Sequence, residues 1–158
     1  MTESRDDRTI RRARPDEADL ITAIAMRSKA YWGYDHHFME TFRPELAVHP
    51  RQIEEDHVVV AASGERVAGF LHLRPEDDAT LELVSLFIDP WAIRQGFGQQ
   101  LWDYAITYAR RHGYRRVTLE SDPNAEPFYR RQGAVETGTR ESKLMPGRVL
   151  SIMTYTLD

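Results

Sequence analysis

The 158-residue chain contains no cysteine. That absence excludes disulfides, thiolate zinc sites and a cysteine nucleophile together, and it suits a reducing cytoplasm. No stretch approaches the ~18–20 apolar residues that a membrane-spanning helix needs, so no membrane association is expected. The first eight residues are polar, carry no apolar core of the kind a secretory signal has, and read as a disordered tail (1–8) ahead of a single domain over residues 9–158. Surplus positive charge is missing as well: 21 Lys plus Arg stand against 25 Asp plus Glu, a net of −4. A nucleic-acid partner is therefore not expected, because phosphate binding needs a dense cationic footprint. Internal repeats and low-complexity tracts are absent too.

What is present suffices for a core: 41% of residues are hydrophobic, and the aromatics comprise 3 Trp, 7 Tyr and 6 Phe. Charge is unevenly spread. Residues 31–90 hold 4 basic and 12 acidic side chains, a net of −8, whereas residues 91–131 hold 7 and 4, a net of +3.

Periodicity and turn residues divide the chain into elements. Residues 9–14 read as a first strand. A helix then opens at Pro15, with Leu20, Ile21, Ile24, Ala25 and Ser28 as its buried stripe, and ends near Tyr31-Trp32-Gly33. Residues 34–55 hold one or two short helices and loops. Residues 56–62 and 67–73 form a hairpin around Gly64, and residues 80–88 are a strand that stops at Asp89-Pro90. A helix follows Ile93-Arg-Gln-Gly-Phe-Gly98, with Leu101, Ala105, Tyr108, Ala109 and His112 on one face and Gly113 closing it. Residues 114–120 are a strand, residues 124–132 a short helix, and residues 134–142 and 149–157 two closing strands. Helices and strands interleave while several neighbouring strands are hairpins, so the class is α+β with a mixed sheet.

The strongest chemical signal is a strand followed by Gln95-Gly96-Phe97-Gly98-Gln99 and a long amphipathic helix. Glycines let the backbone turn sharply and approach a ligand, and the free amides of a helix start point at an anion. The segment is neither a P-loop nor a dinucleotide-binding fingerprint, since Gly-Lys-Ser/Thr and a third glycine at its spacing are both missing. Ile93-Arg-Gln-Gly-Phe-Gly98 after Leu86-Phe-Ile-Asp-Pro90 resembles the acyl-CoA motif of the GNAT superfamily of N-acetyltransferases, departing from it at Ile93, where Arg or Gln is usual. Downstream, residues 119–134, Leu119-Glu-Ser-Asp-Pro-Asn-Ala-Glu-Pro-Phe-Tyr-Arg-Arg-Gln-Gly-Ala134, resemble the same family's strand, Asn-containing loop and Phe-Tyr helix. Order and spacing agree over residues 9–157.

The resemblance implies a mostly antiparallel seven-stranded sheet with helices on both faces and splayed central strands, and acetyl-CoA as cofactor. Phe87 and Ile88 would pair by backbone with the pantetheine arm. Arg94, Gln95, Gly96, Phe97, Gly98 and Gln99 would hold the pyrophosphate, with Asn124 near the thiol end. Tyr129 matches the family's common general acid, which protonates the departing CoA sulfur and so lies against the cofactor as well.

The acceptor amine must lose a proton before it attacks. Glu82 is the first candidate base, a solvated or ion-paired strand glutamate being the alternative; His72 is a weaker candidate, as a lone strand histidine is more often simply packed. Trp32, Tyr34, Asp35 and His36 form the acceptor wall that the resemblance implies, where aromatic faces and a carboxylate suit a cationic amine. His36-His37 lacks the further ligands of a zinc site, so no metal is expected. Arg148, in the last hairpin, would either meet a substrate carboxylate or stand as a surface turn cation.

The expected activity is acetyl transfer to a primary amine of a small molecule by direct attack in a ternary complex. A protein N-terminal or lysine acetyltransferase and a non-catalytic acyl-CoA sensor remain as alternatives. The family often dimerises through its sheet edge or C-terminal strands, which leaves a homodimer open.

Overall fold

The computed structural model describes residues 7–157, so residues 1–6 of the expected tail lie outside it. The elements run β1 (Arg8–Arg12), a 3-10 turn (Pro15–Glu17), α1 (Ala18–Ala30), α2 (His36–Leu46), α3 (Pro50–Glu55), β2 (His57–Ser63), β3 (Arg66–Pro75) and β4 (Thr80–Ile88). A second 3-10 turn (Pro90–Ala92) leads to α4 (Phe97–Arg111), β5 (Arg116–Ser121), α5 (Glu126–Arg131), β6 (Val135–Glu141) and β7 (Val149–Thr156). The strands form one seven-stranded sheet in the order β1-β2-β3-β4-β5-β7-β6. The pairs β1/β2, β2/β3, β5/β7 and β6/β7 are antiparallel and β4/β5 is parallel, which makes the fold α+β with a mixed, mostly antiparallel sheet. A parallel pair needs a crossover connection, and α4 supplies it.

The chain divides into two compact units. One takes the described residues through Leu73 together with Ser85–Tyr104; the other takes Arg74–Val84 and the chain from Ala105 onward. Strand β4 thus gives its beginning to one unit and its end to the other.

In the first unit β2 and β3 are buried almost throughout. Strands covered on both faces read as near-continuous apolar runs, which is how Val58-Val-Val-Ala-Ala62 and Val67–Leu73 look. A two-residue turn joins them, Ser63 facing Arg66, with Gly64 at φ +58. Phe70, Leu71, Ile21 and Ile24 are at most 1% exposed. Each such side chain contributes about 1.5–3 kcal/mol by leaving water.

Helix α1 buries Ala18, Ile21, Ile24 and Ala25. Leu20, expected in that stripe, is instead 44% exposed, because the first turn is the 3-10 segment and the α-helix starts only at Ala18, rotating position 20 outward. Asp35 starts α2 by accepting the Phe38 amide at 2.8 Å, and Phe38, Met39, Phe42 and Leu46 face inward. Pro44 sits in its last turn, where it has no amide hydrogen to donate to the carbonyl four residues back, and α2 ends two residues later. Arg27 on α1 binds Asp89, just past β4, at 2.6 Å.

In the second unit, the β4/β5 ladder joins Thr80–Glu82 to Arg116–Thr118. Leu81, Val117, Leu119 and Met153 are buried there. His112, expected on the buried face of α4, is exposed and stacks on Tyr108 at 4.0 Å; burial along α4 follows Leu101, Trp102, Ala105, Ile106 and Ala109.

Candidate active site

The segment from Arg94 to Gln99 turns sharply into the start of α4. Arg94 has φ +66 and Gly96 φ +87, so two left-handed residues flank Gln95. A non-glycine in that region costs about 1–2 kcal/mol, and Arg94 is the one described residue other than glycine with a positive φ. Left-handed residues alternating with ordinary ones turn successive amide hydrogens to one side, forming a concavity for anions. Helix α4 begins at Phe97, so Gly98 and Gln99 lie in its first turn, and its first bond runs from the Gln100 amide to the Gly96 carbonyl at 3.1 Å. First-turn amides have no acceptor inside a helix and face outward along its axis.

Side chains from distant positions hold this loop. The Gln95 amide donates to the Trp91 carbonyl at 3.0 Å. Arg66, in the β2–β3 hairpin, lies 3.8 Å over the Trp91 ring, Trp91 meets Phe97 edge to face at 6.4 Å, and Arg8 lies 4.1 Å over the Phe97 ring. Two rings in edge-to-face contact therefore stand between two cations, each cation attracted by the quadrupole of the ring beneath it. Sequence reasoning missed this stack: it places Arg8 in the tail, yet Arg8 opens β1 opposite Ser63.

Phe87 and Ile88 end β4 in the same unit. The Asp89 amide donates to Ala68 at 2.7 Å. Gly69 presses against them so closely that a Cβ there would stand 2.6 Å from the Phe87 carbonyl oxygen. A glycine inside a strand signals such an approach, and Gly69 was the visible but unused clue.

Tyr129 lies on α5 in the second unit, 6% exposed, with the Phe128 ring edge-on at 5.2 Å. Burial pushes its hydroxyl well above the usual 10, so it holds its proton at every working pH. Asn124 precedes α5. Its side-chain amide donates to Asp122 Oδ1 at 2.9 Å, and Arg148 reaches Asp122 Oδ2 at 3.2 Å. The structure thus joins Asn124 and Arg148 through Asp122, a residue to which the sequence reading gives no role of its own, and Arg148 is a partly buried, ion-paired cation. Glu82, half-exposed on β4, accepts from Arg74 at 3.0 Å. His72 is 1% exposed and bonded to Asp56 at 2.7 Å, which ties it into the core.

The four residues expected to form an acceptor wall lie in the first unit. Trp32 is 51% exposed beside Tyr31 at 53%, their rings 5.8 Å apart. Tyr34 stacks on Phe38 at 4.0 Å, Asp35 is engaged as the α2 cap, and His36 begins that helix in the open. Residues 94–99, Phe87, Ile88, Trp32, Tyr34, Asp35 and His36 thus share one unit, and Glu82, Asn124 and Tyr129 share the other. Among the described residues no group of three or more potential metal ligands forms, and no helix is long and apolar enough to cross a membrane.

The family model described as "Acetyltransferase (GNAT) family" matches residues 22–134. The chain belongs to the GNAT family. As a member it is an acyltransferase. Human N-acetyltransferase 8 is 34% identical over 87 residues, half of this chain and 38% of that protein, so the chain spans well under half of that relative's length. The peptidyl-lysine N-acetyltransferase YjaB of Salmonella typhimurium is 29% identical over 141 residues, covering 84% of this chain and 86% of YjaB. Among solved structures, the PaiA N-acetyltransferase of Thermoplasma acidophilum in complex with coenzyme A superposes with a TM-score of 0.77 at 16% identity, over 95% of this chain and 99% of that one. At that identity the superposition speaks for the GNAT fold alone.

Proposed function

We propose that this GNAT protein transfers acetyl from acetyl-CoA to a small-molecule primary amine by direct attack, within a single domain over residues 9–158. The observation that carries the reading is the cradle: left-handed Arg94 and Gly96 running into the start of α4. An anionic pyrophosphate fits it, since outward amides and the guanidinium of Arg94 meet negative charge without requiring a side chain at Gly96.

Residues 94–99 would hold the pyrophosphate, the main chain of Phe87 and Ile88 the pantetheine, and Asn124 the region of the thiol. When bound, acetyl-CoA supplies an activated thioester carbonyl as electrophile. Glu82 takes up the proton that the cationic amine must lose before it attacks, and the second proton, shed as the nitrogen–carbon bond forms, passes to solvent. A main-chain N–H at Phe87 or Ile88 donates to the carbonyl oxygen. The Tyr129 hydroxyl gives its proton to sulfur as the carbon–sulfur bond breaks, and solvent restores it. Free thiol and amide are the products, with no acyl group resident on the chain.

The net of −8 over residues 31–90 attracts a cationic amine, and Trp32 and Tyr34 give it aromatic faces. A protein lysine is the second reading. Two observations favour it: the open exposure of Tyr31 and Trp32, and the likeness to a peptidyl-lysine acetyltransferase. Thiol release from acetyl-CoA across a panel of small amines and lysine-bearing peptides separates the two. The first reading expects kcat/KM for the best small amine to exceed that for any peptide; the reverse order selects the second. Tight CoA binding without release to any acceptor leaves only a sensor.

A further inference from the structure

We propose that Arg8 is the positioning residue of the pyrophosphate cradle, acting through the Gln95–Gly96 peptide plane. The Arg8 guanidinium donates from Nη1 to the Gln95 carbonyl. In a planar trans peptide the carbonyl and the following N–H point in opposite directions. Holding the Gln95 oxygen toward Arg8 therefore aims the Gly96 N–H away from it, to the side left open for an anion. The guanidinium carbon also lies over the Phe97 ring, 4.1 Å from its centroid, and Nη1 would stand 3.6 Å from a Cβ on Gly96, so it backs the loop on that side.

Arg8 is itself held. It pairs with Ser63 in the β1/β2 ladder, and the neighbouring Asp7 carbonyl accepts the Gly64 amide at 3.0 Å. The first strand thus reaches 87 residues along the chain to lock one peptide. Left-handed Arg94 explains the need: that conformation is disfavoured and persists where surrounding contacts over-determine it.

The inference rests on the acetyl-CoA reading and predicts a selective loss. Without Arg8 the Gly96 N–H loses its aim, and one charge-assisted hydrogen bond to the pyrophosphate goes with it, a loss of about tenfold in affinity. Pantetheine, which has no pyrophosphate, is indifferent. Titration calorimetry with CoA and with pantetheine on the full chain tests this for wild type, Arg8→Ala, Arg8→Lys and Arg12→Ala. Arg12 lies in the same strand and donates to the Asp56 carbonyl at 3.3 Å, away from the cradle, so it reports any general damage to β1. Arg8→Ala is expected to weaken CoA about tenfold and pantetheine less than twofold, Arg8→Lys to recover part of the loss, and Arg12→Ala to bind both as wild type does. CoA binding by Arg8→Ala within twofold of wild type overturns the inference and leaves the acetyl-CoA reading standing. Equal loss of both ligands, or equal loss in Arg12→Ala, also overturns it. Failure of the wild-type chain to bind CoA overturns the reading and this inference with it.

Discussion

Gly69→Ala isolates the close approach that shapes the end of β4. Gly69 has no positive φ, so an alanine meets no backbone strain there and only space is at issue. Its Cβ would stand 2.6 Å from the Phe87 carbonyl oxygen, 2.6 Å from Ile88 Cδ1 and 3.2 Å from Ile88 Cα. The Ile88 methyl can rotate away, but the carbonyl belongs to the main chain and must retreat by roughly 0.8 Å to reach an ordinary contact in a close-packed interior. Overpacking of this kind costs about 1–3 kcal/mol, partly offset by the ~0.4–1 kcal/mol that a Gly→Ala change contributes by restricting the unfolded chain. Mid-range values leave a net loss of about 1.3 kcal/mol, or roughly 3–5 °C in Tm for a chain of this size. Thermal unfolding measures it, with Gly138→Ala as control, since a Cβ there meets Ile152 at an ordinary 3.8 Å. Because the displaced atoms are those assigned to pantetheine, CoA and pantetheine should weaken together, unlike the selective loss expected for Arg8→Ala. A Gly69→Ala chain as stable as wild type refutes the spatial argument.

Tyr129→Phe should lower kcat by about 100-fold or more while leaving KM for acetyl-CoA within about twofold, as loss of a general acid does. Since burial holds the Tyr129 proton on, the wild-type rate should show no alkaline fall from this group below about pH 10, the ordinary tyrosine value; such a fall, or unchanged turnover in the variant, contradicts the assignment. Glu17 tests the acid side of stability. The hydrogen bond from Arg11, with further help from the Arg14 amide, lowers its carboxyl from 4.5 to about 2 despite burial. A depressed carboxylate contributes stability above pH 4.5 and loses it as pH falls toward 2, here about 2–3 kcal/mol with half-exposed Arg11 as partner. The urea-unfolding difference between wild type and Glu17→Gln should shrink by most of that amount between about pH 6 and about pH 2.5, and a constant difference would count against the pair.

Much of the fold is legible in the residues because local chemistry decides it. Gly64 and Gly113 mark turns that need positive φ, the unbroken apolar runs of β2 and β3 announce strands covered on both faces, and Gln95-Gly96-Phe97-Gly98 announces the start of α4. Leu20 falls on the wrong face in a periodic reading because one 3-10 turn shifts helical phase, which no periodicity shows. Arg8 reads as tail because its partners, Gln95 and Phe97, lie far along the chain. Asp35 reads as a substrate carboxylate and also caps α2. That local role is written in its spacing to Phe38, since an aspartate three residues ahead of the first inward-facing side chain is a common helix start. Asp122 draws no notice in the sequence, because its meaning comes from holding Asn124 and Arg148 together.

The central claim is direct transfer on one chain, and initial rates of thiol release with acetyl-CoA and an active amine both varied, together with the intact mass of the protein after acetyl-CoA alone, test it most directly. The account predicts intersecting reciprocal plots and an unmodified chain mass. Parallel plots with an acetylated chain would contradict it.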